Sequence, residues 1–71
     1  MKSDVVHIDS EIMSGTPVFK GTRVPIKNLF DYLESGESIE EFLKDFPTVS
    51  NEQVVALLKD AEVFLTSSSS A

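Results

Sequence analysis

Three of the six positive charges in this 71-residue chain, Lys20, Arg23 and Lys27, lie between positions 20 and 27. The segment around them reads Gly15-Thr16-Pro17-Val18-Phe19-Lys20-Gly21-Thr22-Arg23-Val24-Pro25, and its opening Gly-Thr-Pro-Val recurs six residues later as Gly-Thr-Arg-Val. Glycine reaches positive φ without steric cost and proline fixes φ near −65°, so these residues specify backbone geometry. A planar guanidinium on such a rigid turn can hold a phosphate or a carboxylate through two parallel hydrogen bonds. The chemistry open to Arg23 is therefore anion binding. The anion is either a DNA phosphate or base edge, or one of the chain's own carboxylates, which outnumber its bases twelve to six.

Lys20 and Lys27 extend the same patch. Lys20 is expected at the tip of a turn, where a wing touches a phosphate backbone. Lys27 is expected in the first turn of a helix, whose unpaired N–H groups add partial positive charge. Asn51 and Gln53, in the first turn of a later helix, are side chains able to read adenine in the major groove. That helix carries Glu52, Asp60 and Glu62 against Lys59, a net −2 that repels phosphates. DNA binding by one chain alone is then expected to be weak, needing a dimer or a basic partner.

No catalytic constellation is visible, and the chain is not expected to be an enzyme. With one histidine, His7, and no cysteine, there is no soft-ligand metal cluster, and His7 reads as an ordinary strand residue. Glu40 and Glu41 are adjacent in sequence and diverge on a helix. No nucleophile–base pair and no phosphate-cradling glycine loop leaving a strand can be found, so no cofactor is expected.

The positioning elements can be read from spacing. Val5-Val6-His7-Ile8 is short and β-branched and predicts a strand. Asp9 to Ser14 is a polar connector with apolar anchors at Ile12 and Met13. Val18-Phe19 and Thr22-Arg23-Val24 flank Lys20-Gly21, which suggests either a two-residue hairpin loop or two successive turns. Pro25 suits the start of a helix over about 25–35, with Ile26, Leu29, Phe30 and Leu33 on one face and Gly36 as its left-handed cap. Ser38 and Glu41 form a capping box for a second helix over about 39–46, stopped by Pro47. Ser50 and Gln53 form another, with Val49 and Val54 spaced as a hydrophobic staple, for a third helix reaching about residue 65. Residues 1–65 thus predict one domain, mainly α with a small N-terminal β element. Residues 66–71 predict a mobile, serine-rich tail. A short helix, a tight turn and a longer helix outline a helix-turn-helix.

Charge is divided along the chain. Residues 1–30 hold four bases and three acids, a net +1; residues 31–71 hold two bases and nine acids, a net −7. The acidic half favours a partner with a basic surface. The N-terminus lacks an apolar signal region, and no apolar run approaches the roughly 20 residues of a membrane span, so a cytoplasmic protein is expected. A chain this small is marginal alone, which predicts a homodimer, with the Val5–Ile8 strand pairing across chains.

The run from Ile12 through Gly15-x-Pro17-x-x-x-Gly21-Thr22-Arg23 to Pro25, then Ser38 to Phe42, and Phe46-Pro47-Thr48-Val49-Ser50 with Val54, resembles the small prokaryotic family called domain of unknown function 433. The resemblance covers about residues 5–65. It implies a three-helix, homeodomain-like, winged helix-turn-helix fold in which Gly15, Pro17, Gly21, Thr22, Pro25 and Pro47 are the structural motif. It also implies an antitoxin of a toxin–antitoxin pair that neutralises a PIN-like ribonuclease toxin and represses the shared promoter. Residues 66–71 are unlike the long toxin-wrapping extensions of many antitoxins. Two alternatives remain: a protein-interaction module without DNA affinity, and a stand-alone small transcriptional regulator.

Overall fold

Gly36 ends the first helix as its position after an apolar helical run demands. Its φ is +84°, its N–H donates to the Leu33 carbonyl, and the Glu37 N–H donates to the Tyr32 carbonyl. That pair of bonds satisfies carbonyls the helix would otherwise leave unpaired. The computed structural model describes residues 3–11 and 13–67. In order they form β1 (Val6–His7), a 3-10 turn (Met13–Gly15), β2 (Val18–Phe19), α1 (Ile26–Glu34), α2 (Ile39–Asp45) and α3 (Asn51–Ser67). The chain is thus mainly α, three helices with a small two-stranded β element near the N-terminus, and α2, residues 46–50 and α3 run as helix, turn, helix.

The helix starts follow the capping residues. Ser38 Oγ accepts from the Glu41 N–H at 3.0 Å, with no return bond from Glu41 among the described residues. At α3 the box is complete: Ser50 Oγ accepts from the Gln53 N–H, and Gln53 Oε1 accepts from the Ser50 N–H, both at 3.1 Å. Pro25 sits one residue outside α1, extended at φ −62° and ψ 140°. α3 runs to Ser67, two residues past the expected end, and the Thr66 hydroxyl donates to the Glu62 carbonyl at 2.8 Å. The anchor expected at Ile12, the Met13 side chain and tail residues 68–71 lie outside the described residues.

Phe42 centres the core. It is fully buried, with the Phe19 ring 5.9 Å away, Tyr32 edge-on at 5.4 Å and Phe46 at 5.0 Å. Leu29 of α1, Val54 and Leu57 of α3, and Val49 of the turn complete the buried cluster. Val49 and Val54 pack as the expected staple, which sets the angle at which the chain enters α3.

The β region closes within the chain. β1 pairs antiparallel with β2, Val6 opposite Phe19 and His7 opposite Val18, so the strand has inside the chain a partner that the expectation of pairing across chains took it to lack. Lys20 N–H adds a bond to the Val5 carbonyl at 2.9 Å. Residues 22–24 are not a regular strand, although the Lys20-Gly21 turn is closed by the Thr22 N–H on the Phe19 carbonyl. The Phe19 N–H donates to the Val24 carbonyl and the Ile26 N–H to the Pro17 carbonyl, with an isolated bridge from Val18 to Pro25.

Candidate nucleic-acid interface

The turn that carries Lys20 and Arg23 is built by Gly21 and Thr22. Thr22 N–H donates to the Phe19 carbonyl at 2.9 Å, closing a four-residue turn whose third position, Gly21, has φ +79°. Lys20, the second position, keeps negative φ, so this is a type II turn, which demands glycine at that third place. The Thr22 hydroxyl donates to the Phe19 carbonyl at 2.7 Å and accepts from the Val24 N–H at 3.0 Å. The Gly-Thr pair thereby fixes the backbone on both sides of Arg23. In the first tetrad Gly15 has φ +83°, while the Pro17 carbonyl receives α1's Ile26 N–H. Residues 17–19 and 24–26 therefore lie against each other, joined through Phe19–Val24 and Pro17–Ile26.

Arg23 and Lys20 are exposed, and among the described residues neither forms an ion pair. The alternative in which Arg23 locks the turn onto one of the chain's own carboxylates is thus not realised among them. Lys27 differs. Its Nζ lies 2.8 Å from Asp31 Oδ1 and 2.9 Å from Oδ2, one helical turn on. The hydrogen bond to that carboxylate, and then the attraction between the charges, hold its pKa above the ordinary lysine value. Of the three bases between positions 20 and 27, Lys20 and Arg23 are the two outside any ion pair among the described residues.

Those two residues border an open depression of about 1010 Å³, with His7 from β1, Asn28 from α1, and Phe46 and Thr48 from the chain between α2 and α3. Among the described residues no carboxylate lines it, in a chain of net charge −6. His7 Nε2 stands 4.0 Å from Asp9 Oδ2. Asn28, Thr48 and His7 were not singled out as site residues by the sequence. Strand alternation at Val6–His7 was the one signal that could have placed His7, and nothing local points to the other two.

Gln53 is not a free reader at the start of α3. Its Oε1 accepts from Ser50, and its Nε2 donates to the Lys20 carbonyl at 2.9 Å. The amide is occupied at both ends, tying the basic turn to the first turn of α3. Asn51, also in that turn, is exposed, and no side-chain bond from it is present among the described residues. The structure therefore brings Lys20, Arg23 and the beginning of α3 to one side, and leaves Lys27 paired on α1. Among the described residues no group of His, Asp and Glu is placed to hold a metal ion, and no helix is long and apolar enough to cross a membrane.

Comparison with known proteins agrees with the motif. The chain is 33% identical over 51 residues to the uncharacterized protein y4eO of Sinorhizobium fredii (strain NBRC 101917 / NGR234), an alignment covering 72% of this chain and 23% of that protein. The chain thus spans about a quarter of the length of the curated relative it matches. No solved structure matches it. The model of the family described as protein of unknown function (DUF433) matches residues 6–59, which include the repeated tetrads, all of α1 and α2 and the first half of α3, and the chain belongs to that family.

Proposed function

We propose that this protein is an antitoxin that binds a PIN-like ribonuclease toxin and its own promoter DNA, with Lys20 and Arg23 gripping the phosphate backbone. The observation that carries the nucleic-acid part is the placement of Lys20 and Arg23, exposed and outside any ion pair among the described residues, on a carboxylate-free depression beside the start of α3. In a chain of net −6, that local exception favours a polyanion at this place. The toxin part is supported by the resemblance and by the net −7 of residues 31–71, complementary to a basic RNA-cutting enzyme.

The test uses fluorescence anisotropy with DNA from upstream of the gene, at two salt concentrations, and co-expression with the neighbouring gene product. Arg23→Ala should weaken DNA binding and flatten the dependence of log affinity on log salt by about 0.9 for each phosphate the side chain neutralises. Among the described residues the Arg23 side chain bonds to nothing else in the fold, so thermal stability should not move. If the protein neither binds that DNA nor associates with and silences the neighbouring product, the proposal fails.

A second reading, a protein-interaction module without DNA affinity, draws on α3 itself. That helix has Glu52, Asp60 and Glu62 against Lys59, Lys59 is paired with Glu62 at 3.1 Å, and Gln53 is held by Lys20. Toxin association with no measurable DNA binding selects this reading.

A further inference from the structure

Consecutive strand residues face opposite sides, and β1 uses this to separate two surfaces. His7 borders the basic depression, whereas Val6 and, beyond the strand, Ile8 line a groove of about 400 Å³ on the other side. Phe30 of α1 and Leu57, Phe64 and Leu65 of α3 form much of the remaining wall, and no polar or charged side chain contributes to it among the described residues. Ile8 is 62% exposed, Phe64 53% and Leu65 71%. From Glu62 to Ser67 every α3 residue is exposed, so the last turns of this helix project past the core. A helical end with no tertiary packing is poorly sustained in water by propensity alone.

We infer that this groove is the interface between two copies of the chain. The patch supplies both halves of a self-complementary contact: Phe64 and Leu65 protrude from α3, and the space between α3, β1 and α1 can receive them from a second copy. A two-fold interface needs this kind of self-complementarity. A standard interface covers about 800 Å² on each partner, roughly a sixth of this molecule's 5005 Å² surface, so the contact must extend from the groove onto the exposed end of α3. The lining gives a basic partner no carboxylate to pair with. Closing it on its own copy buries no charge, which avoids the desolvation penalty of buried ions. Each copy carries −6, so electrostatics opposes the dimer and apolar contact must hold it. The inference stands on the groove and is independent of DNA or toxin binding.

The mass of the full chain in solution, by sedimentation over a range of concentrations and at low and high salt, tests this. The expected mass is twice 7.8 kDa, with dissociation weakened by salt because salt screens the like charges. Leu65→Glu and Ile8→Glu should each raise the dissociation constant about 30-fold or more, leaving circular dichroism unchanged because both side chains are exposed. Val55→Glu, 54% exposed but outside the groove, should not change it. A single-chain mass at all concentrations overturns the inference, including the case of a monomer that takes up another protein. So does a dimer indifferent to Leu65→Glu and Ile8→Glu, or one dissolved by salt. A single-chain mass with intact DNA and toxin binding would remove the dimer interface and leave the proposed function standing.

Discussion

Gln53 Nε2 donates to the carbonyl of Lys20 at 2.9 Å, joining two residues 33 positions apart. The same side chain caps α3 by accepting from the Ser50 N–H, so one amide sets both where the helix begins and where the basic turn rests on it. Lys20 and Arg23 are consequently presented from a fixed surface. Their orientation costs less entropy on binding an anion than it would from a free loop.

Gln53→Ala should therefore destabilise the protein in the absence of any ligand. It removes a helix cap and the tie to the turn, a loss of about 1–2 kcal/mol. Urea unfolding measures it. Gln53→Glu keeps an acceptor for Ser50 but loses the donor to Lys20, and should fall between the wild type and the alanine variant. Unchanged stability in Gln53→Ala would return Gln53 to the role of a free base reader.

The Gly21–Thr22 turn makes a second prediction. Nothing lies within 4 Å of a Cβ added at Gly21, so Gly21→Ala meets only backbone strain at φ +79°, about 1 kcal/mol. Gly21→Asn should cost less, since asparagine tolerates this region better. Thr22→Val removes the hydroxyl that bridges Phe19 and Val24 while keeping the side chain's shape, and should cost about 1–2 kcal/mol. The denaturation midpoints of the three variants check the ranking.

Tyr32 can be followed by itself, because it is the sole tyrosine and there is no tryptophan. Its hydroxyl donates to Asp45 Oδ2 at 2.5 Å, and that bond, then burial and the nearby carboxylate charges, hold its pKa above the ordinary 10.0. A pKa raised in the folded state means that the bond's stabilisation is fully present below pH 10.0. It is lost as pH rises through the folded value. Titration by tyrosinate absorbance should show a midpoint above 10.0 in the folded protein and a lower one in Asp45→Asn. Equal midpoints in the two proteins would refute the contact.

Features that depend on neighbours three to five positions away were legible before any folding was considered. Ser38 and Ser50 cap their helices, Gly36 closes α1 in a left-handed cap, and Val49 staples to Val54, all through contacts that helical geometry imposes on a short stretch. The Gly15–Arg23 pattern also disclosed a rigid basic turn. Even the Lys27–Asp31 pair was open to view at i, i+4 spacing, though Lys27 was placed in the patch for its position in the first turn of a helix. What remained depended on packing, because the deciding partners are distant along the chain. β1 found Val18 and Phe19 within the chain, and the Lys20 carbonyl came to rest on Gln53. Asn28 and Thr48 joined the basic wall, and Ile8 met Phe64 and Leu65 across the groove. Local spacing specifies a backbone turn or a helix face, but which of those faces meet is settled only when the helices pack around Phe42.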